Sequence, residues 1–159
     1  MKQLQERFGQ NPEGDNLIIR TAVRLLVPFI QLYGMYVIVH GHYSPGGGFQ
    51  GGVVLGASFI LLALAYDLKT SLRHMSEGVN VVLGNVGVLI FVGIAVLCAL
   101  LGGLFLDYEA LAQIIPMADE EWHSLGIFLV ELGVGLAVMS IMASLFWDLA
   151  SGGDMEEGL

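Results

Sequence analysis

Glu131 is the single acid in the apolar run from Leu125 to Trp147. It lies about six residues in, roughly 9 Å along a helix. A carboxylate at such depth is costly in hydrocarbon, and it faces a bundle interior or water. Removal from water favours its protonated form, so Glu131 is a candidate proton or cation site. The alternative is a hydrogen-bonded acid that holds two helices together. Phe128 and Gly135 share its face, one turn back and one turn on, and Gly135 leaves room for a neighbour. His40 and His42 flank the end of the first apolar run, and His123 opens the fourth. Histidine titrates near neutral pH, so these three join Glu131 as candidates for an ion or proton pathway. Interfacial histidines bonded to loop carbonyls are the alternative. No thiolate or carboxylate joins them at metal-ligand spacing, so no metal is expected.

The second cluster is "HYSPGGGFQGG", residues 42–52. A span counted only from Gly51 to Tyr66 has sixteen residues, about 24 Å, short of the hydrocarbon core of about 30 Å. Ser44 is a suitable N-cap and Pro45 a suitable first helical residue, which lengthens the span to about 33 Å. Gly48, Gly52 and Gly56 then recur every four residues, with Gly47 and Gly51 in a row beside them. Together with Ser44, Pro45, Gly46 and Phe49 they form a helix-packing motif. Such a stripe lets a second backbone approach closely. Each glycine costs about 1 kcal/mol of helix propensity, so the contact must outweigh several. The expected occupant of the stripe is a helix from a partner subunit. A hinge or partly unwound segment is the alternative. A phosphate loop is excluded, because no Lys-Ser/Thr pair follows the glycines.

The elements that carry these groups follow from composition. The 159 residues are 55% hydrophobic and 13% charged, about half the charge of a typical soluble domain. Four stretches are long enough to span: Thr21–Val39, a second ending at Tyr66, Val79–Leu106 and Leu125–Trp147. The expected fold is an all-α integral membrane protein of four transmembrane helices. Residues 1–16 form an N-terminal tail, 17–148 the membrane domain, and 149–159 an acidic tail. Lys2, Arg7, Arg20, Arg24, Lys69 and Arg73 all fall on one side of these spans. By the positive-inside bias that side, with both termini, is cytoplasmic.

Further readings concern single residues. Arg20 and Arg24, one turn apart, are expected to snorkel to headgroups or to meet a partner subunit. Pro28 is expected to kink the first helix, with Thr21 or Gln31 serving the freed backbone. Asn85 is expected to bond between helices. Trp122 and Trp147 are expected at the two interfaces. Met139 and Met142 are read as packing, Cys98 as mid-helix, and His74 as a solvated loop residue. The net charge of −9 argues against nucleic acid. One cysteine allows no intrachain disulfide. The polar start argues against a cleavable signal peptide. No nucleophile-base pair or dinucleotide fingerprint points to an enzyme, and no cofactor is expected.

The stretch "NLIIRTAVRLLVPFIQLYGMYVIVHGHYSPGGGFQGGVVLGASFIL", residues 16–61, resembles the B subunit of multisubunit Mrp-type, also called Mnh-type, sodium/proton antiporters. The hallmark "GHxxPGGGFxGG" is matched from Gly41 to Gly52. The resemblance implies a small subunit of a large complex in the cell's inner (cytoplasmic) membrane, one that exchanges cytoplasmic sodium for outside protons. The partners it implies are the other antiporter subunits, the bilayer, sodium ion and proton. The same B-type domain resembles a module of membrane-bound hydrogenases and ferredoxin-driven complexes, which is the alternative host. The resemblance brings no catalytic residue set with it.

Overall fold

The computed structural model describes residues 12–41, 47–66, 68–102, 105–108 and 119–151, with side chains from Leu17 in the first helix and from His123 in the last. These residues form five helices: α1 Pro12–Val39, α2 Gly47–Ala65, α3 Leu68–His74, α4 Glu77–Leu100 and α5 Asp119–Ser151. Four have segments long and apolar enough to cross a membrane: Leu17–Val39, Gly47–Ala65, Glu77–Leu100 and His123–Ser151. The all-helical, four-span architecture is therefore present, with the short helix α3 as an addition.

Several boundaries differ from those expected, each for a local reason. α2 begins at Gly47, whose φ of +52° is left-handed. A helix starting at Pro45 cannot run through such a residue. Its 19 residues span about 28 Å, close to the core thickness, so the added length is not needed. His42, Ser44, Pro45 and Gly46 lie outside the described residues. α4 starts at a capped end, where the Ser76 hydroxyl accepts from the Val79 amide at 3.4 Å. It ends at Leu100 and not at Leu106, because Gly102 turns the chain with φ +86°. Cys98 is thus near the end of α4, not at its middle. α1 runs unbroken through Pro28. Thr21 and Gln31 do not serve that proline. The Thr21 hydroxyl donates to the Leu17 carbonyl, and the Gln31 amide donates to the Ser58 hydroxyl on α2.

The spans pack in the order α1, α2, α5, α4, each mainly against its neighbours in that row. Glycine makes each contact close. A Cβ at Gly52 would stand 2.6 Å from the Gly135 carbonyl oxygen, and one at Gly56 would stand 2.9 Å from Met142 Cβ. One at Gly48 would land on the Glu131 carbonyl oxygen. The stripe 48, 52, 56 therefore seats α5 of the same chain, which corrects the expectation of a foreign helix. The adjacent row serves α1, since a Cβ at Gly51 would stand 2.7 Å from the Gly34 carbonyl oxygen. The far side of α5 repeats the device with α4: a Cβ at Gly87 would stand 2.5 Å from the Gly133 carbonyl oxygen, and one at Gly133 2.8 Å from that of Gly87.

Polar bonds fix the register at the α3 end. Asn80 is fully buried; its amide donates to the Ser140 carbonyl at 3.0 Å and the Ser144 hydroxyl at 2.8 Å. The Ser140 hydroxyl returns a bond to the Asn80 carbonyl. Such bonds contribute about 0.6 kcal/mol each in a membrane. Asn85, the expected bonding residue, is instead exposed along a groove between α4 and α5. Trp147 faces the bundle interior. It is fully buried, and its indole N–H donates to the Ser71 hydroxyl of α3 at 3.1 Å. The hydroxyl in turn donates to the Phe59 carbonyl, so α3 is pinned over the ends of α2 and α5. Met139 is buried in the same apolar cluster as Trp147.

A contrast between two glycines tests this packing. Gly52→Ala is expected to destabilise the chain by about 1–3 kcal/mol through overpacking. At Gly93 an added Cβ meets nothing within 4 Å, so Gly93→Ala is expected to stabilise by up to about 1 kcal/mol. Thermal unfolding in mild detergent reads both; equal shifts would contradict the interlock.

Candidate functional site

The site lies where α1 ends, α2 begins and α5 passes both. Glu131 is eight residues into the α5 span that starts at His123, about 12 Å along the helix. Its Oε2 is shut off from solvent. Three glycines make room for it. A Cβ at Gly41 would land on Oε2, one at Gly47 on Oε1, and one at Gly48 on the residue's own carbonyl oxygen. The carboxylate thus sits among bare backbone. Gly47 also needs its glycine for conformation, since its φ is left-handed.

Two physical effects oppose each other at this carboxylate. Burial disfavours a charged group. The start of α2 favours one, because first-turn amides lack intrahelical acceptors and the helix dipole is positive there.

Tyr108 forms the next shell. It lies between α4 and α5, buried with Cys98 against Ile94, Ile127 and Val130. Gly126 gives it space, since a Cβ there would strike the Tyr108 ring. Burial pushes the Tyr108 hydroxyl above its ordinary range, with Cys98 and Glu131 as the further causes. The influence of Glu131 places the phenol within its electrostatic reach. His123 packs edge-on to the Tyr108 ring at 5.6 Å between centroids.

Of the residues singled out from the sequence, Glu131, Gly47 and Gly48 come together here. Gly51, Gly52 and Gly56 are buried further along α2, in its contacts with α1 and α5. Phe49 turns away and is exposed. His40 stacks on Tyr36 at 4.3 Å, while His123 belongs to Tyr108, so these two are engaged in separate ring contacts. Gly41 and Tyr108 are additions. Gly41 opens the glycine motif and was legible there. Tyr108 lies in an acidic connection, and nothing in its spacing marks it.

These observations define a class first: a multi-pass, all-helical membrane protein that holds a carboxylate within its helix packing. Residues 18–144 match the family model described as a domain related to the MnhB subunit of Na+/H+ antiporter, and the chain belongs to that family. It is also similar to proteins named "Putative antiporter subunit mnhB2" from Staphylococcus aureus strains Newman, JH1 and COL. Each is 28% identical over 138 residues, covering 87% of this chain and 96% of the relative. Membership of this family makes the chain a transporter subunit.

The electrostatic link between Tyr108 and its surroundings is testable. A raised folded-state value means that the stability contributed by the neutral phenol is intact below about pH 10, and is lost as pH rises through the raised value. In an ultraviolet titration of the folded protein, the component removed by Tyr108→Phe is expected to ionise above the range of a free tyrosine. Ionisation within or below that range contradicts the burial argument.

Proposed function

We propose that this chain is the small B-type subunit of an Mrp-type sodium/proton antiporter, with Glu131 as its protonatable, cation-responsive group. The observation that carries the reading is the enclosure of one span carboxylate by the backbones of Gly41, Gly47 and Gly48, in a chain of this family. The three glycines leave the carboxylate no bulky neighbour on that side, and the start of α2 offsets part of the cost of its charge. Sodium and proton are the ions it would answer to. Tyr108, within the electrostatic reach of Glu131, and His123, packed on its ring, are the neighbouring groups that would pass a proton. The chain itself needs no catalytic centre for this role. The antiporter assignment in the family description, and in the relatives' names, favours this host over a redox-driven complex.

Both termini are assigned to the cytoplasm, and the chain to the cell's inner membrane. Arg20, Lys69 and Arg73 support the orientation. Arg20 Nε donates to the Ala65 carbonyl at 3.3 Å, so it lies at the same end of the bundle as α3, which carries the other two. That basic end is the cytoplasmic one under the positive-inside bias.

Replacing Glu131 in the assembled complex tests the ion role. Sodium-driven proton movement in inverted vesicles is expected to fall on the order of 10²-fold in Glu131→Gln, the scale of losing a proton-transfer group. Glu131→Asp is expected to retain part of the activity with a displaced pH profile. Unchanged exchange and an unchanged pH profile at normal assembly would remove Glu131 from the pathway. For orientation, a cysteine in place of exposed Lys69 is expected to react with an impermeant maleimide only from the cytoplasmic face. Labelling from outside reverses the topology.

A further inference from the structure

Arg20 and Arg24 are one turn apart on α1, yet they have different surroundings. Arg20 is engaged: Nε donates to the Ala65 carbonyl, and the guanidinium lies 5.7 Å from the centroid of the Tyr66 ring. Arg24 has no hydrogen-bond or ion-pair partner among the described residues. It lies four residues beyond Arg20 on α1, about 6 Å further along the helix. A guanidinium at that depth requires an anion or water. Arg24 lines a groove of about 490 Å³ between α1, α2 and α3.

The lining of that groove changes along its length. Tyr66, Thr70 and His74 line it at the α3 end, and Val27 and Leu62 line it deeper in the span. His74 Nδ1 lies 2.9 Å from the Thr70 carbonyl. A carbonyl only accepts, so Nδ1 carries the proton of that bond. Gln31, at the deep end, already donates to Ser58. The α3 end of the groove is therefore polar and aromatic, Arg24 supplies its positive charge, and Val27, Pro28 and Leu62 make the deeper wall mainly apolar.

We propose that this groove binds an anionic phospholipid, its phosphate on Arg24 and one acyl chain along Val27 and Leu62. The polar-to-apolar order matches such a molecule from headgroup to tail. A free phosphate would leave the apolar half empty. Basic pockets between spans are a recognised setting for lipid headgroups. The proposal does not rest on the ion role of Glu131.

The test uses the native complex that contains this chain, exchanged into nanodiscs of mixed phosphatidylcholine and phosphatidylglycerol. Phosphatidylglycerol retained after mild delipidation is counted by native mass spectrometry. Arg24→Gln is expected to retain about fivefold less, as for one basic group near anionic lipid. Arg24→Lys is expected to retain most of it, since a phosphate needs only the positive charge. Added inorganic phosphate is expected to leave the retained lipid in place. A photoreactive benzoylphenylalanine at position 70, in an otherwise native chain, is expected to crosslink to lipid. That variant decides the matter should Arg24→Gln fail to assemble. Equal retention in Arg24→Gln, displacement by inorganic phosphate, or a crosslink to another subunit would each overturn the proposal.

Discussion

The structure depends on the near contact of two backbones, α2 and α5, over the glycines at 48, 52 and 56. Within a bilayer the hydrophobic effect does not drive helices together, because lipid tails are as apolar as the side chains. What remains is dispersion at close range, with a few hydrogen bonds. A glycine stripe maximises the first, since each missing side chain lets the opposite helix come nearer. The loss of helix propensity at several positions is tolerable only because the contact repeats over successive turns.

That contact also makes the site. The closeness that brings Gly52 against the Gly135 carbonyl brings Gly41, Gly47 and Gly48 against Glu131. Packing and the enclosure of the acid are one geometric fact read at two heights of the helix pair. The left-handed Gly47 completes it, because it starts α2 beside the carboxylate without placing a side chain there. α5 has two working faces. One meets α2 and carries Glu131. The other meets α4 through Gly133, Ala137 and Ser140, and carries the bonds to Asn80.

Hydrogen bonds hold the opposite end of the row. Asn80 with Ser140 and Ser144, and Trp147 with Ser71 and Phe59, hold α3, α4 and α5 in register. At the glycine-rich end, Gly41, Gly47 and Gly48 fit closely around Glu131. One end of the row is thus pinned by directional bonds, and the other is closed by shape around an ionisable group. The outer faces of α1 and α4 carry exposed residues such as Leu25, Phe29, Leu89 and Val92. In a membrane such faces suit lipid tails or the spans of other subunits.

Length and hydrophobicity alone settled the helical class and the four spans, because a spanning helix must be long, apolar and internally bonded. The depth of Glu131 and the four-residue glycine spacing were legible for the same reason, since both follow from the period of one helix. Pairings between helices were not. Nothing in a spacing says whether Gly52 meets Gly135 of the same chain or a partner. Asn80 and Asn85 look alike in sequence, and only their rotation about α4 separates the buried one from the exposed one. That the Trp147 indole is buried and bonded to Ser71 of α3 was likewise not legible. Local periodicity is a property of a segment, whereas the choice of neighbour is a property of the whole row of helices, and that was decided only when the row assembled.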